Sequence, residues 1–392
     1  MAAVLMALVL LPLLGSRVEA ANAIVGTGTP ASCDEPALRS AILNQPGGTV
    51  SFNCGPAMVT IPLTLPIPIT ASTTVLGAER VTLQGVGAGP FFTVSPSVTL
   101  SLASMNLSQG NAPGGQGGAV LNNGTLTLEQ VQFTGNQASQ GGAIYNNGTL
   151  IAADSTFQGN SATSGGAVYN TGSGAATFVN VTVSGNSASQ GGGLYNAGGG
   201  SIDIKNITLN LNTASSGASL YNASSLGTIT STNSIVSGNL GGGAQCAGAI
   251  TSGGHNISRD ASCSFTLVMQ DQFNTDPALL ALLPQGAMGF TSVHQPSLNN
   301  PVSPAIDRGD TALCPKIDQP GKPRPFGPEC DIGAVEVQGS PHTWYVRDIF
   351  GNDNDTCDLP THPCLTIDGA MTANKAQSGD TVLVTADVYK GG

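Results

Sequence analysis

The sequence predicts an all-β chain folded as a parallel β-helix (solenoid) with a short N-terminal capping helix. Three observations carry this. First, the chain matches itself. Gly117-Gly118-Ala119-Val120-Leu121-Asn122 recurs as Gly141-Gly142-Ala143-Ile144-Tyr145-Asn146 and again from Gly165, Gly191 and Gly217, at spacings of 24, 24, 26 and 26 residues. Second, each unit holds short alternating β-prone segments, such as Thr125-Leu126-Thr127-Leu128 and Val181-Thr182-Val183, separated by Gly/Asn/Ser turns, with no sustained helical period. Third, only 9% of the 392 residues are charged, against about 25% in an average globular chain, while 53 are glycine. A unit this short cannot bury its own apolar face, but stacking units at the strand spacing of about 4.8 Å can.

The same composition excludes other classes. No Gly-X-Y period supports collagen, and 40% hydrophobic residues with so little charge argue against disorder. A net charge of −11 and 5% aromatics leave neither a basic surface nor stacking platforms, so no nucleic-acid partner is expected.

Taken in order, residues 1–20 read as a secretory signal. Met1 to Leu14 is an apolar run broken only by Pro12, and Gly15-Ser16-Arg17-Val18-Glu19-Ala20 supplies a cleavage site before Ala21. The n-region carries no Lys or Arg, which leaves open a start upstream of Met1. The run is too short to span a bilayer, and no transmembrane segment is expected in the mature chain. Residues 21–60 read as a cap and first coil. Asp34 N-caps a helix with Pro36 in its first turn and Leu38, Ala41 and Ile42 on one apolar face, ahead of the strand Gly47-Gly48-Thr49-Val50-Ser51-Phe52. Covering the first coil protects an edge that would otherwise invite strand addition.

Residues 61–258 form the β-helix, with the clearest repeats over 117–240. Stacking places Phe133, Phe157, Val183, Leu209 and Ile235 in one interior column. Asn122, Asn146, Asn170, Asn196 and Asn222 form a ladder, as do Asn136, Asn160, Asn186 and Asn212, with Asn239 one place out of step. Amide side chains bond to their copies above and below, whereas a repeated charge would repel itself. Tyr145, Tyr169, Tyr195 and Tyr221 form another column, readable as a carbohydrate-stacking strip or, preferably, as a structural stack with hydroxyls at its rim. Glu129, Asp154 and Asp203 stand almost alone at positions expected to face outward from strands.

Gly141-Gly142-Ala143-Ile144 and Phe157-Gln158-Gly159-Asn160 reproduce the two signature elements of the repeat of bacterial polymorphic outer-membrane proteins, which residues 117–240 resemble. Later units replace the Phe by Val183, Leu209 and Ile235, and one Gly by Ala218. The resemblance implies a right-handed β-helix exposed on the cell surface and used in adhesion; no segment resembling the membrane barrel of autotransporter members is recognised. The stretch from Cys33 to Ile42 resembles the cap of secreted bacterial proteins with a Cys-Ser-Leu-Arg-Glu-Ala-Ile motif.

Residues 259–337 hold Ser303-Pro304-Ala305-Ile306-Asp307, Asp318-Gln319-Pro320-Gly321, Arg324-Pro325 and Cys330-Asp331-Ile332-Gly333-Ala334-Val335-Glu336. Together these resemble the choice-of-anchor Q domain, a closing segment that implies an extracellular or cell-surface address. Asp307, Asp318, Arg324, Asp331 and Glu336 are expected to form a capping salt-bridge network; the functional alternative is a carboxylate pair for acid–base chemistry. Residues 343–392 repeat the cap logic. Trp344-Tyr345-Val346, a helix face of Ile367, Ala370 and Met371, and Gly379-Asp380-Thr381-Val382-Leu383-Val384 resemble the opening of pectate-lyase-like β-helices, and predict the start of a second, truncated one.

Eight cysteines fall as sequence neighbours, Cys33/Cys54, Cys246/Cys263, Cys314/Cys330 and Cys357/Cys364, and an even count behind a signal favours disulfides. No Cys/His cluster has metal-ligand spacing, and no cofactor is expected. Asp353 and Asp355 hint at Ca²⁺, but the loop lacks the glycine and final glutamate of an EF-hand.

The expected function is a non-enzymatic secreted or cell-surface β-helix protein, an adhesin or structural coat, with a glycan or cell-surface ligand as partner. The alternative is a polysaccharide lyase or glycoside hydrolase. Within the solenoid its only candidates are Asp154, Asp203 and the single base Lys205. Asp154 and Asp203 lie two units apart, roughly 10 Å at the stacking rise, beyond the separation of about 5–5.5 Å that a retaining glycosidase needs.

Overall fold

The computed structural model describes residues 22–338 apart from 45, 240, 266–268 and 300, together with 343–346, 364–366 and 381–384. The chain winds as a parallel β-solenoid whose coils present three faces. In the coil that begins at Gly141, Ile144–Asn146 lies on the third face, Thr149–Ala153 on the first and Thr156–Gln158 on the second. Each strand pairs in parallel with its copy in the next coil, as Ile144 with Val168, Thr149 with Ala175 and Thr156 with Thr182. In earlier coils the first two faces are one continuous strand, as in Thr125–Thr134.

Two backbone devices turn the corners. Between the first and second faces, Ser104, Gln130, Asp154, Asn180, Asn206, Asn233 and His255 form a column with φ between 48° and 55°. That region is disfavoured for most L-residues and best tolerated by Asn and Asp. The third face is entered through Gly117, Gly141, Gly165, Gly191 and Gly217, at φ between 58° and 67°. A Cβ at Gly191 would lie 2.9 Å from the Cβ of Tyr195, so the glycine makes room for the ring.

Alternation places Leu126, Leu128, Val131 and Phe133 inside, above Leu150, Ala152 and Phe157, all sealed from solvent. The Phe133 and Phe157 rings stack 4.9 Å apart with their planes nearly parallel. Both asparagine ladders form. Along one, Nδ2 of Asn122, Asn146, Asn170 and Asn196 donates to Oδ1 of the next Asn at 2.7, 2.7, 2.9 and 3.2 Å. Along the other, Asn136, Asn160 and Asn186 donate onward at 2.9, 2.8 and 3.0 Å, and the ladder ends at Asn212.

One column departs from its expected membership. Leu209 stacks on Val236, while Ile235 pairs with Thr208. The coil holds one more residue than its predecessor, so Ile235 turns outward and packs with Ile257, Ala305 and Ile332 beneath the closing segment. The same extra residue puts Asn239 one place late in the sequence, at the position equivalent to Asn212, where its side chain bonds to Gly241 and Gly243 instead of extending the ladder.

At the N-terminal end, α1 (Glu35–Leu43) is capped by Asp34, which accepts from the Ala37 N–H, and buries Leu38, Ala41 and Ile42 over the first coil. At the other end, side chains replace the missing next coil. Asp260 accepts from the Gln245 N–H, Ser262 from the Cys246 N–H and Asp271 from the Asn256 N–H, and Cys246–Cys263 closes the turn.

From Phe273 to Val337 the closing segment does not continue that end cap. It returns as a strap along the second face, touching coils from Asn106, which donates to Gln285 at 2.9 Å, to His255, whose Nδ1 donates to the Arg308 carbonyl at 2.8 Å. Disulfides Cys33–Cys54 and Cys314–Cys330 fix the first coil and the strap.

Thr343–Val346 pairs in parallel with Thr381–Val384, as Ala23–Val25 does with Gly48–Phe52. Of the fourth expected disulfide, Cys357/Cys364, only one half is described. Cys364 is disulfide-bonded, fully buried and bridged in parallel to Val346, whereas its expected partner Cys357 lies outside the described residues. Three of the four expected pairs are therefore described at both ends, and the pairing of Cys364 with Cys357 stays an expectation. The signal (1–20), Asp353, Asp355 and the helix face of Ile367, Ala370 and Met371 also lie outside the described residues. No described helix is long and apolar enough to cross a membrane.

Candidate functional site

The three solenoid residues nominated for catalysis do not converge. Asp203 and Lys205 alternate with buried Ile202 and Ile204 on Ser201–Lys205, so both face solvent on the first face, where they pair at 3.6 Å. Asp154 is not a strand residue. It occupies the left-handed turn between the first and second faces, a correction forced by the positive φ needed there. The register Ile151, Thr177, Asp203 puts Asp154 three residues along and two coils away from Asp203, roughly 14 Å. Asp154 and Asp203 therefore bracket no common point, and Lys205 has Asp203 as its partner.

Asp154 lies instead beside the strap. Its Oδ1 accepts from Asn180 Nδ2 at 3.0 Å and its carbonyl from Thr291 Oγ1 at 3.1 Å. Burial lifts its carboxyl from the usual 3.8 to about 6, with Glu129 and Asp318 adding like-charge repulsion.

The five polar residues of the strap gather into one knot, in which only the buried Arg324 Nε lacks a hydrogen-bond partner among the described residues. Arg324 pairs with Glu336 at 3.3 Å and donates to the carbonyls of Asp331 and Gly333, both at 2.8 Å. Glu336 accepts from the N–H groups of Phe326 and Asp331. Asp331 accepts from those of Asp307 and Val337, and Asp318 from those of Lys322 and Glu336. Burial pushes Asp331 up to about 7 and raises Asp318, while it lowers Arg324. The carboxylates of Asp318, Asp331 and Glu336 each hold backbone N–H groups in place, which is a structural task, and the knot lies on the side of the coils rather than at their end.

Sequence reasoning missed His294 and Gln319. The His294 Nδ1 donates to the Leu280 carbonyl at 2.9 Å, which leaves Nε2 to accept from Ser184 at 2.9 Å; burial lowers its pKa. Gln319 joins two coils, donating to Thr156 Oγ1 at 2.8 Å and accepting from Thr182 Oγ1 at 2.7 Å. A lone His and a lone Gln in an irregular segment give no periodic signal. Among the described residues, no group of three or more His, Cys, Asp or Glu gathers to hold a metal ion.

The tyrosine ladder stacks with centroids 5.3, 4.9 and 5.0 Å apart and planes within 9° of parallel. Each inner ring therefore has both faces covered by neighbours, and burial raises the pKa of Tyr169 and Tyr195. Only edges and hydroxyls reach solvent, so the ladder is no platform for sugar rings. Beside its first rung lies a groove of about 880 Å³, between a loop at Ala112–Gln116 and the corner residues Ser139, Gln140, Thr163 and Ser164.

Fold and surface together define a parallel β-solenoid built from short Gly/Asn-cornered repeats. Residues 130–147 and 154–171 match the repeat model of the Chlamydia polymorphic membrane proteins. No curated protein and no solved structure matches the chain.

Proposed function

We propose that this chain is a non-enzymatic cell-surface β-helix, an adhesin that presents its coils as a binding scaffold. The observation that carries the reading is the separation of Asp154 from Asp203, with Lys205 engaged by Asp203. Asp154, Asp203 and Lys205 thus do not converge on one point, and the solenoid offers long, regular, polar faces. The matched repeats support a surface or outer-membrane setting. Three disulfides support an oxidising compartment, in line with the secretory reading of residues 1–20. The choice-of-anchor Q-like motifs fall within the strap, which would lock the solenoid next to whatever attaches it to the cell. Protease shaving of intact cells, with antibody detection of the solenoid, tests the location; a chain accessible only after lysis refutes it. Incubation of the purified chain with polysaccharides tests the non-enzymatic part, because progressive loss of any substrate contradicts it.

A further inference from the structure

We propose that the groove beside the tyrosine ladder binds a neutral, extended oligosaccharide whose axis runs parallel to the solenoid. In the regular coils the corner between the second and third faces is four residues long, in register from Gln137 to Ser161 to Ser187 and from Gln140 to Ser164 to Gln190. In the preceding coil the corner runs from Asn111, paired with Gln137, to Gln116, paired with Gln140, and so carries two extra residues. The insertion falls at Pro113-Gly114-Gly115. Gly114 has φ +70° and nothing near the position of a Cβ, so the loop stands clear of the coil. Gly89 donates to the Asn111 carbonyl at 2.6 Å and holds Ala88-Gly89-Pro90 beside it. The two segments wall off one end of the groove.

The chemistry of the groove selects its ligand. Its floor offers hydroxyls from Ser139, Thr163 and Ser164 and the amide of Gln140, with apolar surface from Leu121 and Pro113. Such pairing of hydrogen-bonding rows with small apolar patches suits the hydroxyl-rich edge and C–H face of a pyranose. Equivalent side chains recur once per coil, about 4.8 Å apart, close to the length of one sugar in an extended chain. The volume of about 880 Å³ lies within the range usual for ligand sites, about 300–1,000 Å³. Charge decides against acidic glycans. None of the residues that line the groove is charged, and the charged residues over 81–258 are Glu129, Asp203 and Lys205 on the first face and Asp154 at the strap. Away from the walled end the corner column runs on to Gln190, in register with Ser164, which lets a chain longer than the pocket lie along the corner.

This assignment names the ligand class for the surface-binding role above and rests on that reading for its setting, but its test does not. Purified full-length chain is titrated calorimetrically with cellohexaose, maltohexaose and chitohexaose, and with hexagalacturonate as the charged counterpart. At least one neutral hexamer is expected to bind saturably, and hexagalacturonate not to bind. Thr163→Trp fills the floor from an exposed position, and deletion of Gly114 and Gly115 restores the four-residue corner that later coils already adopt. Each is expected to weaken binding by about tenfold or more with an unchanged circular dichroism spectrum. The proposal is overturned if no neutral hexamer binds, if hexagalacturonate binds as tightly, or if affinity survives the well-folded variants. Binding by a chain that shaving places inside the cell would refute the surface role and leave the groove assignment standing.

Discussion

Arg324 and Glu336 form an ion pair at 3.3 Å in which neither side chain has more than 1% of its surface exposed. Removing one partner of such a pair strands a buried charge, at a cost of about 3–5 kcal/mol. Glu336→Gln is therefore expected to lower stability by about that amount in urea unfolding followed by circular dichroism. Limited proteolysis should cut the variant within residues 273–337 before it cuts the coils. An unchanged midpoint would show that the knot carries no load.

Asp154 supplies a pH prediction with a definite sign. Its carboxyl titrates at about 6 when folded and near 3.8 otherwise, so folding takes up a proton between those values. Its contribution to stability is complete below about pH 4 and lost as pH rises through 6. Asp331, at about 7, acts in the same direction, while His294, lowered by burial, opposes both as pH falls. Asp154→Asn isolates the first group, because asparagine tolerates the turn and continues the column of Asn180, Asn206 and Asn233. The variant is expected to be more stable than the parent at pH 8, and the gap to shrink at pH 4.

The inner and terminal rungs of an asparagine ladder are unequal. Asn160 accepts from Asn136 N and Nδ2 and donates to Asn186 Oδ1 and the Phe133 carbonyl. Asn212 donates only to the Val183 carbonyl, though it accepts the same two bonds from Asn186. Each buried group left unsatisfied costs about 1–3 kcal/mol. Asn160→Ala is thus expected to cost more than Asn212→Ala in paired urea titrations, and the reverse order would contradict the ladder.

Closing the end of the stack also has a measurable signature. The Cys246–Cys263 link spans 17 residues, for which the chain-entropy account gives about 3 kcal/mol. Replacing both cysteines with serine should raise hydrogen exchange at the Gln245, Cys246 and Asn256 amides, the three bonded to end-cap side chains. Exchange confined to other sites would show that the cap holds without its disulfide.

The coil stack is legible in the sequence because stacking writes the same constraint into every repeat. Spacing alone locates both ladders, the tyrosine column and the helix face of Leu38, Ala41 and Ile42. What is not legible has no period. Gln319, His294 and Arg324 each act once, through contacts more than 80 residues away in the chain or within a single knot. Asp154 reads as a strand residue because strand alternation and a left-handed turn look alike at one position; only the column of asparagines in the same place distinguishes them. Ile235 reads as an interior residue because one inserted residue hides its turn outward, and the slip of Asn239 is the trace of that insertion. The groove depends on a two-residue insertion in a corner, which repeat matching treats as noise.

The strap changes how the molecule bears force. A bare solenoid pulled along its axis peels one coil at a time, each step resisted only by its nearest neighbour. Here Gln285, Ser292, Gln319, Gly333 and Asp310 fasten to Asn106, Gln132, Thr156 and Thr182, Asn206, and Asn233 respectively. Tension applied to either end is shared among these coils in parallel, so they yield together and at a higher force than any one interface would bear. A chain held to a surface in moving fluid gains from that arrangement a rod that resists unravelling under shear.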